Sequence, residues 1–308
     1  MSLVLTTDDR ELLTLLADYR VLTAGQVATL LRRSNRSARR RLAASASTGL
    51  IELSQRTFGN GAGRPEGIVS LTARGGRLLR KQGLLRADIP DEDLTAAKLR
   101  HVDHALLLNW FRIHLVHIER AVPRLVVRFF SPVPPAHERQ SDGPRASVPR
   151  PGVAGSATTA VGFAPDGAFT ITDKEQAKTV LFFLEVDMGT ESLASPNDGS
   201  GSIHGKIRNY QAYFRSGEYK QYEELAGCPL KGFRLLFLAN SWTRLVSLCR
   251  VVRDTPPSDF VWVTDQGRMF ECGLSAEIWA RGGLIGEPPE SILGPRLKCL
   301  APIPMNRS

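Results

Sequence analysis

The stretch Thr179 to Asp187, TVLFFLEVD, governs the reading of the larger part of this chain. An apolar run of this length that ends in charge reads as a strand covered on both faces. Glu185 and Asp187 stand two apart and so project to one face, while Leu184 and Val186 project to the other. Two carboxylates on one face of a buried strand repel when ionised and lose hydration when covered, so a cation or a compensating base is expected beside them. The plainer alternative is that both pair with Arg and Lys on the following helix and do no chemistry.

Upstream, FAPDGAFTI (163–171) reads as a strand that returns through a turn near Asp173 to Lys178, so the two strands form a hairpin with Asp166, behind Pro165, at its start. Downstream, the helix expected over 203–214 carries Lys206, Arg208, Tyr210, Gln211 and Tyr213. A strand at Phe233 to Ala239, a helix at Ser241 to Asp254 with Trp242 and Leu245 inward, and a strand at Phe260 to Thr264 follow. Before the hairpin, 101–121 has apolar residues almost all round, the mark of a buried helix, and 125–130 reads as a strand. This order specifies an α/β domain with a mixed sheet, α+β for the chain as a whole. Residues 131–162, rich in Pro, Gly, Ser and Ala, read as a mobile insertion, and 287–308 as a peripheral Pro-rich tail. His101, His104, His114 and His117 lack the four-residue HxxxH spacing and read as structural.

The N-terminal part reads differently. A helix capped by Asp8 carries Leu12, Leu13, Leu15 and Leu16; Thr23 and Gln26 form a capping-box pattern for a second helix; Ser34 or Asn35 opens a third, closed by Gly49. The third helix carries Arg36, Arg39, Arg40 and Arg41. Leu50 to Leu53 and Ile68 to Leu71 read as a hairpin whose Gly-rich tip is flanked by Arg56 and Arg64, and Thr72 caps a fourth helix. Residues 1–86 hold 15 basic and 6 acidic side chains, which accounts for the whole formal +9, since the remaining 25 basic and 25 acidic residues cancel. A field confined to one small domain points to a polyanion, with double-stranded DNA named first.

With 308 residues, 42% hydrophobic and 23% charged, the chain suits two globular domains and not a disordered polymer. We expect a domain at 1–86, a polar, acidic linker at 87–100 and a second domain at 101–286. No apolar run approaches the roughly 20 residues of a membrane span, and no signal-like core follows MSLVLTTDDR, so the expected place is the cytoplasm, on nucleoid or plasmid. Cys228, Cys249, Cys272 and Cys299 have no CxxC spacing and read as reduced thiols.

Three helices, a hairpin and a fourth helix resemble a winged helix-turn-helix, which implies Arg36, Arg39, Arg40 and Arg41 in the major groove and Arg56 and Arg64 as wing contacts. Pro165-Asp166 with Glu185-Val186-Asp187 resembles the PD-(D/E)xK nuclease core, a restriction-endonuclease-like domain. That resemblance implies a magnesium or manganese ion held by Asp166 and Glu185, with Asp187 as third ligand or orienting group. Asp187 occupies the usual lysine position, so Lys206 is the candidate lysine, Arg208 the second, and Glu119 the acidic residue of the first core helix. In this order, with HALLLNWFRIHL, FFLEVDMGTES and KIRNYQAYF, the chain is similar to the replication-relaxation family over about residues 8–283. The implied function is a DNA-binding protein of a plasmid or other mobile element, acting in replication or relaxation, with metal-dependent nicking or cleavage. Implied partners are a second copy of the chain and replication or mobilisation proteins. The alternative is a noncatalytic regulator built on a degenerate nuclease-like domain.

Overall fold

The computed structural model describes residues 5–55, 66–86, 88–96, 99, 101–130, 164–193, 202–295 and 300–303. Arg56, Arg64, Cys299 and the insertion 131–162 lie outside the described residues.

Helix α1 (Thr7–Tyr19) is capped by Thr6 and not by Asp8. The Thr6 hydroxyl accepts from the Asp9 N–H at 3.1 Å while the Asp9 carboxylate accepts from the Thr6 N–H at 3.1 Å, a reciprocal box that the one-residue shift makes available. A two-residue strand β1 (Leu22–Thr23) leads into α2 (Ala24–Leu30), capped by the expected Thr23 and Gln26 pair. Ser34 caps α3 (Asn35–Ser47), and Gly49, at φ +70°, turns the chain into β2 (Ile51–Ser54). Strand β3 (Ile68–Leu71) returns antiparallel to both β2 and β1, giving the order β1-β3-β2, and Thr72 caps α4 (Ala73–Lys81).

The segment expected as a linker includes α5 (Asp91–Leu94), which is docked and not free: Leu94 is buried, and Arg80 bonds Asp91 at 2.6 Å and the Ile89 carbonyl at 2.5 Å. The chain divides into two compact units inside the next helix, α6 (Val102–Ala121), between Ile113 and His114. Hydrogen bonds explain why the first turns of α6 go with the N-terminal unit. Asn109 donates to the Tyr19 and Val21 carbonyls, Gln26 donates to the Leu106 carbonyl, and Arg112 pairs with Asp18 at 2.7 Å while lying 4.0 Å from the Tyr19 ring centroid.

The second unit is built on one six-stranded mixed sheet. Its elements are β4 (Leu125–Phe130), β5 (Gly167–Asp173), β6 (Lys178–Asp187), α7 (Ile203–Ser216), a 3-10 turn at Glu218–Tyr222, α8 (Glu223–Ala226), β7 (Phe233–Ala239), α9 (Trp242–Arg253), β8 (Val261–Asp265), α10 (Gln266–Cys272) and β9 (Ala280–Arg281). The strands lie in chain order; β4, β5 and β6 run antiparallel, β6, β7 and β8 parallel, and β9 antiparallel at the edge. Leu181 and Phe183 of β6 pack in one core with Ile207, Tyr210 and Tyr213 of α7 and Leu245 of α9. By the two-residue period Glu185 and Asp187 therefore face the same helices. Among the described residues no helix is long and apolar enough to cross a membrane.

Two further expectations are corrected. Trp242 is 49% exposed, because it is the first residue of α9 and stands beyond the end of β7, stacked on Arg268 at 4.6 Å; the buried stripe begins at Leu245. The described part of the tail is not peripheral: Ile292 and Ile303 are buried, Glu290 bridges to Trp279, and the Ser291 hydroxyl donates to the Ser275 carbonyl. Cys228, Cys249 and Cys272 are free thiols, as read.

His114 is buried beside Phe270, and its Nε2 has no hydrogen-bond partner among the described residues. Burial, with the charge of His117 adding, pushes it from 6.5 down to about 4. The folded state keeps the ring neutral while the unfolded chain takes a proton below pH 6.5, so stability falls as pH drops from 6.5 towards 4. The expected loss from this group is about 2 kcal/mol at pH 5. Urea unfolding at pH 7.5 and 5.0 measures it, and His114→Leu should lose that share of the drop; an identical drop in the variant would assign the effect elsewhere.

Candidate active site

Sheet geometry brings the strand carboxylates to the helices that neutralise them. Glu185, 3% exposed near the end of β6, accepts from two side chains of α7: Lys206 Nζ at 2.9 Å to Oε2, and the Tyr210 hydroxyl at 2.7 Å to Oε1. Lys206 and Tyr210 are four apart and so stand on one helix face. Asp166, just ahead of β5, meets β6 from the neighbouring strand, with its Oδ2 accepting from the Val186 N–H at 2.7 Å. Asp166, Glu185 and Lys206 are thus brought together, with the lysine reaching the strand from the helix.

Burial raises Glu185 to about 7, and the charge of Asp166 adds to the rise; Lys206 and the Tyr210 hydroxyl oppose it without overcoming it. Burial alone would lower Lys206, but the charges of Glu185 and Glu191 hold it above the ordinary lysine range, so its ammonium persists. The ion pair favours the charged form of both partners; Glu185 moves the other way because its dehydration and its acidic neighbour outweigh one cation. Burial, then the negative Glu185, keeps the Tyr210 phenol protonated and donating.

Asp187 is placed differently from expectation. Arg244 Nε lies 3.1 and 3.0 Å from its two oxygens and Nη2 lies 2.9 Å from Oδ2, while the Gly189 N–H donates to Oδ1 at 2.6 Å. Its partner comes from α9, two α-helices beyond the helix where sequence placed it. In this structure the oxygens of Asp187 are thus engaged by Arg244 and the Gly189 N–H. Glu119 is also placed differently from expectation. Its Oε1 accepts from the Val127 N–H at 3.0 Å on β4, the sheet's edge strand, two strands away from β6. Tyr210 and Tyr213 are buried in the core. Two residues of the constellation, Glu191 and Arg244, were not read from sequence, because each joins it from a separate segment with no local spacing to mark it.

For a divalent cation, the pair Asp166 and Glu185 suits: two neighbouring carboxylates, one with its ionisation disfavoured, form a donor set whose repulsion a cation would relieve. A three-carboxylate site does not suit. Among the described residues no group of three or more His, Cys, Asp or Glu is arranged to hold a metal ion.

On the N-terminal unit, Arg36, Arg39 and Arg40 are exposed on α3. Arg41 instead turns back to α1, pairing with Asp8 at 2.5 Å and Asp9 at 3.0 Å, and so ties the two helices.

Residues 13–227 match the profile of the family described as Replication-relaxation. No curated protein and no solved structure matches the chain.

Proposed function

Because this chain belongs to the replication-relaxation family, we propose that it is a DNA-binding protein of a plasmid or other mobile element, whose C-terminal unit performs metal-assisted phosphodiester cleavage during replication or relaxation. The observation that carries this reading is Lys206 reaching Glu185 beside Asp166 on the α6, β4, β5, β6, α7, β7 framework, an order and mixed sheet that suit a PD-(D/E)xK core. A purely structural ion pair has little use for a carboxylate whose ionisation is disfavoured near neutral pH, whereas active sites commonly hold one.

In this reading Asp166 and Glu185 would hold one magnesium or manganese ion, which when bound supplies Lewis-acid polarisation of a phosphate oxygen and an activated water. Tyr210 fixes the Glu185 carboxylate by hydrogen bonding. Lys206 presents a persistent positive charge towards the scissile phosphate as negative charge develops there. Asp187 and Arg244 hold the strand end in place.

The DNA-binding half rests on the α1 to α4 unit, whose helices and β1-β3-β2 sheet suit a winged helix with α3 in the major groove. Arg36, Arg39 and Arg40 would meet DNA; Arg41 is left out because α1 already holds it. Charge reversal of Arg39 and Arg40 to Glu is expected to weaken duplex binding and to flatten the slope of log affinity against log salt by about 2. Fluorescence anisotropy from 50 to 300 mM salt reads this, and an unchanged slope would move the interface off α3.

A second reading is favoured by the pairing of both strand carboxylates with helix cations. In it the nuclease-like unit is degenerate and the chain is a noncatalytic regulator of replication or transcription. Duplex binding that is tight, metal-independent and without cleavage separates this reading from the first.

A further inference from the structure

Within MGTES (188–192), the segment that follows the strand carboxylates, the mechanism above leaves Glu191 unused. Its Oε1 accepts from Lys206 Nζ at 2.8 Å, as close as the 2.9 Å at which Glu185 accepts from the same ammonium. The backbone around Glu191 is anchored three times: Arg244 Nη2 donates to its carbonyl at 2.7 Å, and the first N–H groups of α7 close on the next residues, Ile203 to the Ser192 carbonyl at 3.0 Å and His204 to the Leu193 carbonyl at 3.2 Å. These contacts fasten the segment to the helix turn that carries Lys206. The other oxygen, Oε2, is buried and accepts no hydrogen bond among the described residues. Side-chain exposure is 24% for Lys206 and 38% for Glu191 against 4% for Glu185, so the outer partner of the ammonium faces the solvent side and the inner one the sheet.

We propose that Glu191 is a positioning residue that holds the Lys206 ammonium at the mouth of the Asp166 and Glu185 pair. An ammonium has three N–H donors. Glu185 and Glu191 engage two, and the third is directed at an oxygen of an incoming phosphodiester. When a cation takes Glu185, Glu191 keeps the lysine at the site instead of releasing it to water. Arg244 serves the same end from behind, since one guanidinium ties Asp187 to the Glu191 backbone. This inference deepens the nuclease reading, while the placement of the lysine stands or falls separately from it.

The test is zero-length carbodiimide crosslinking of the full-length protein, which joins a carboxylate to an amine in contact, followed by peptide mass spectrometry. Wild type should give a Glu191–Lys206 crosslink that persists in millimolar manganese chloride and is absent in Glu191→Gln. No crosslink in folded wild type, or one lost when manganese is added, overturns the proposal. In plasmid cleavage, Glu191→Gln should lower turnover by 10- to 100-fold with KM unchanged, and Glu191→Asp should recover part of it. Where wild type cleaves, equal turnover in Glu191→Gln also overturns the proposal. A wild type that crosslinks yet cleaves no DNA under any metal condition defeats the nuclease reading and leaves the Glu191 placement intact.

Discussion

Replacing Arg244 by Met is expected to destabilise the C-terminal unit by about 3–5 kcal/mol, the usual cost of stranding one member of a buried ion pair. The Asp187 side chain is 2% exposed and that of Arg244 13%, so little solvent is at hand to rehydrate the orphaned carboxylate. The Gly189 N–H would remain as a donor, but it carries no net charge. The guanidinium also reaches the Glu191 carbonyl, so its loss would loosen the 188–193 segment as well. The double variant Arg244→Met with Asp187→Asn should recover part of the loss, because it removes the uncompensated charge itself. Urea denaturation at pH 7 reads both values; a single-variant loss under about 1 kcal/mol would mean that the pair is far better hydrated than its burial indicates.

Glu185→Ala should abolish cleavage while leaving duplex affinity within about twofold. In the proposed nuclease reading Glu185 would hold the cation, so its loss would remove several kcal/mol of charge stabilisation, roughly 10³-fold or more in rate. Affinity is expected to survive because the basic excess lies in residues 1–86, not around β6. Single-turnover nicking of supercoiled plasmid and anisotropy on the same duplex separate the two effects. A folded Glu185→Ala protein that still cleaves would remove Glu185 from the mechanism, and one that no longer binds would place DNA contacts on the second unit.

Much of this framework was legible from local pattern. The apolar run into Glu185 and Asp187 locates β6, and its two-residue period puts both carboxylates on the face that α7 and α9 cover. Thr23, Ser34 and Thr72 act as helix caps where their spacing indicates, because capping is decided within three residues. Pairings that reach across elements were harder. Arg244 meets Asp187 across 57 residues, and nothing near Arg244 distinguishes it from other helix arginines. Glu191 shares its lysine across 15 residues, and Glu119, expected at the site by analogy, turns to a strand-edge amide eight residues on. Strand β1 is two residues long, too short for alternation to register. Trp242 misled because helical spacing places it in line with Leu245, while the sheet ends before its turn.

The competing descriptions of the second unit differ in one respect. An ion-paired relic and a working site both put Lys206 against Glu185, but only the working site exchanges part of that pairing for a cation and a phosphodiester. The most direct measurement is incubation of supercoiled and linear DNA with wild type and with Asp166→Ala, each in magnesium, manganese or EDTA. We predict nicking or cutting by wild type in magnesium or manganese, none in EDTA, and none by Asp166→Ala in any condition. Tight binding by wild type without cleavage in either metal, or cleavage that Asp166→Ala retains, would contradict the assignment of catalysis to this site.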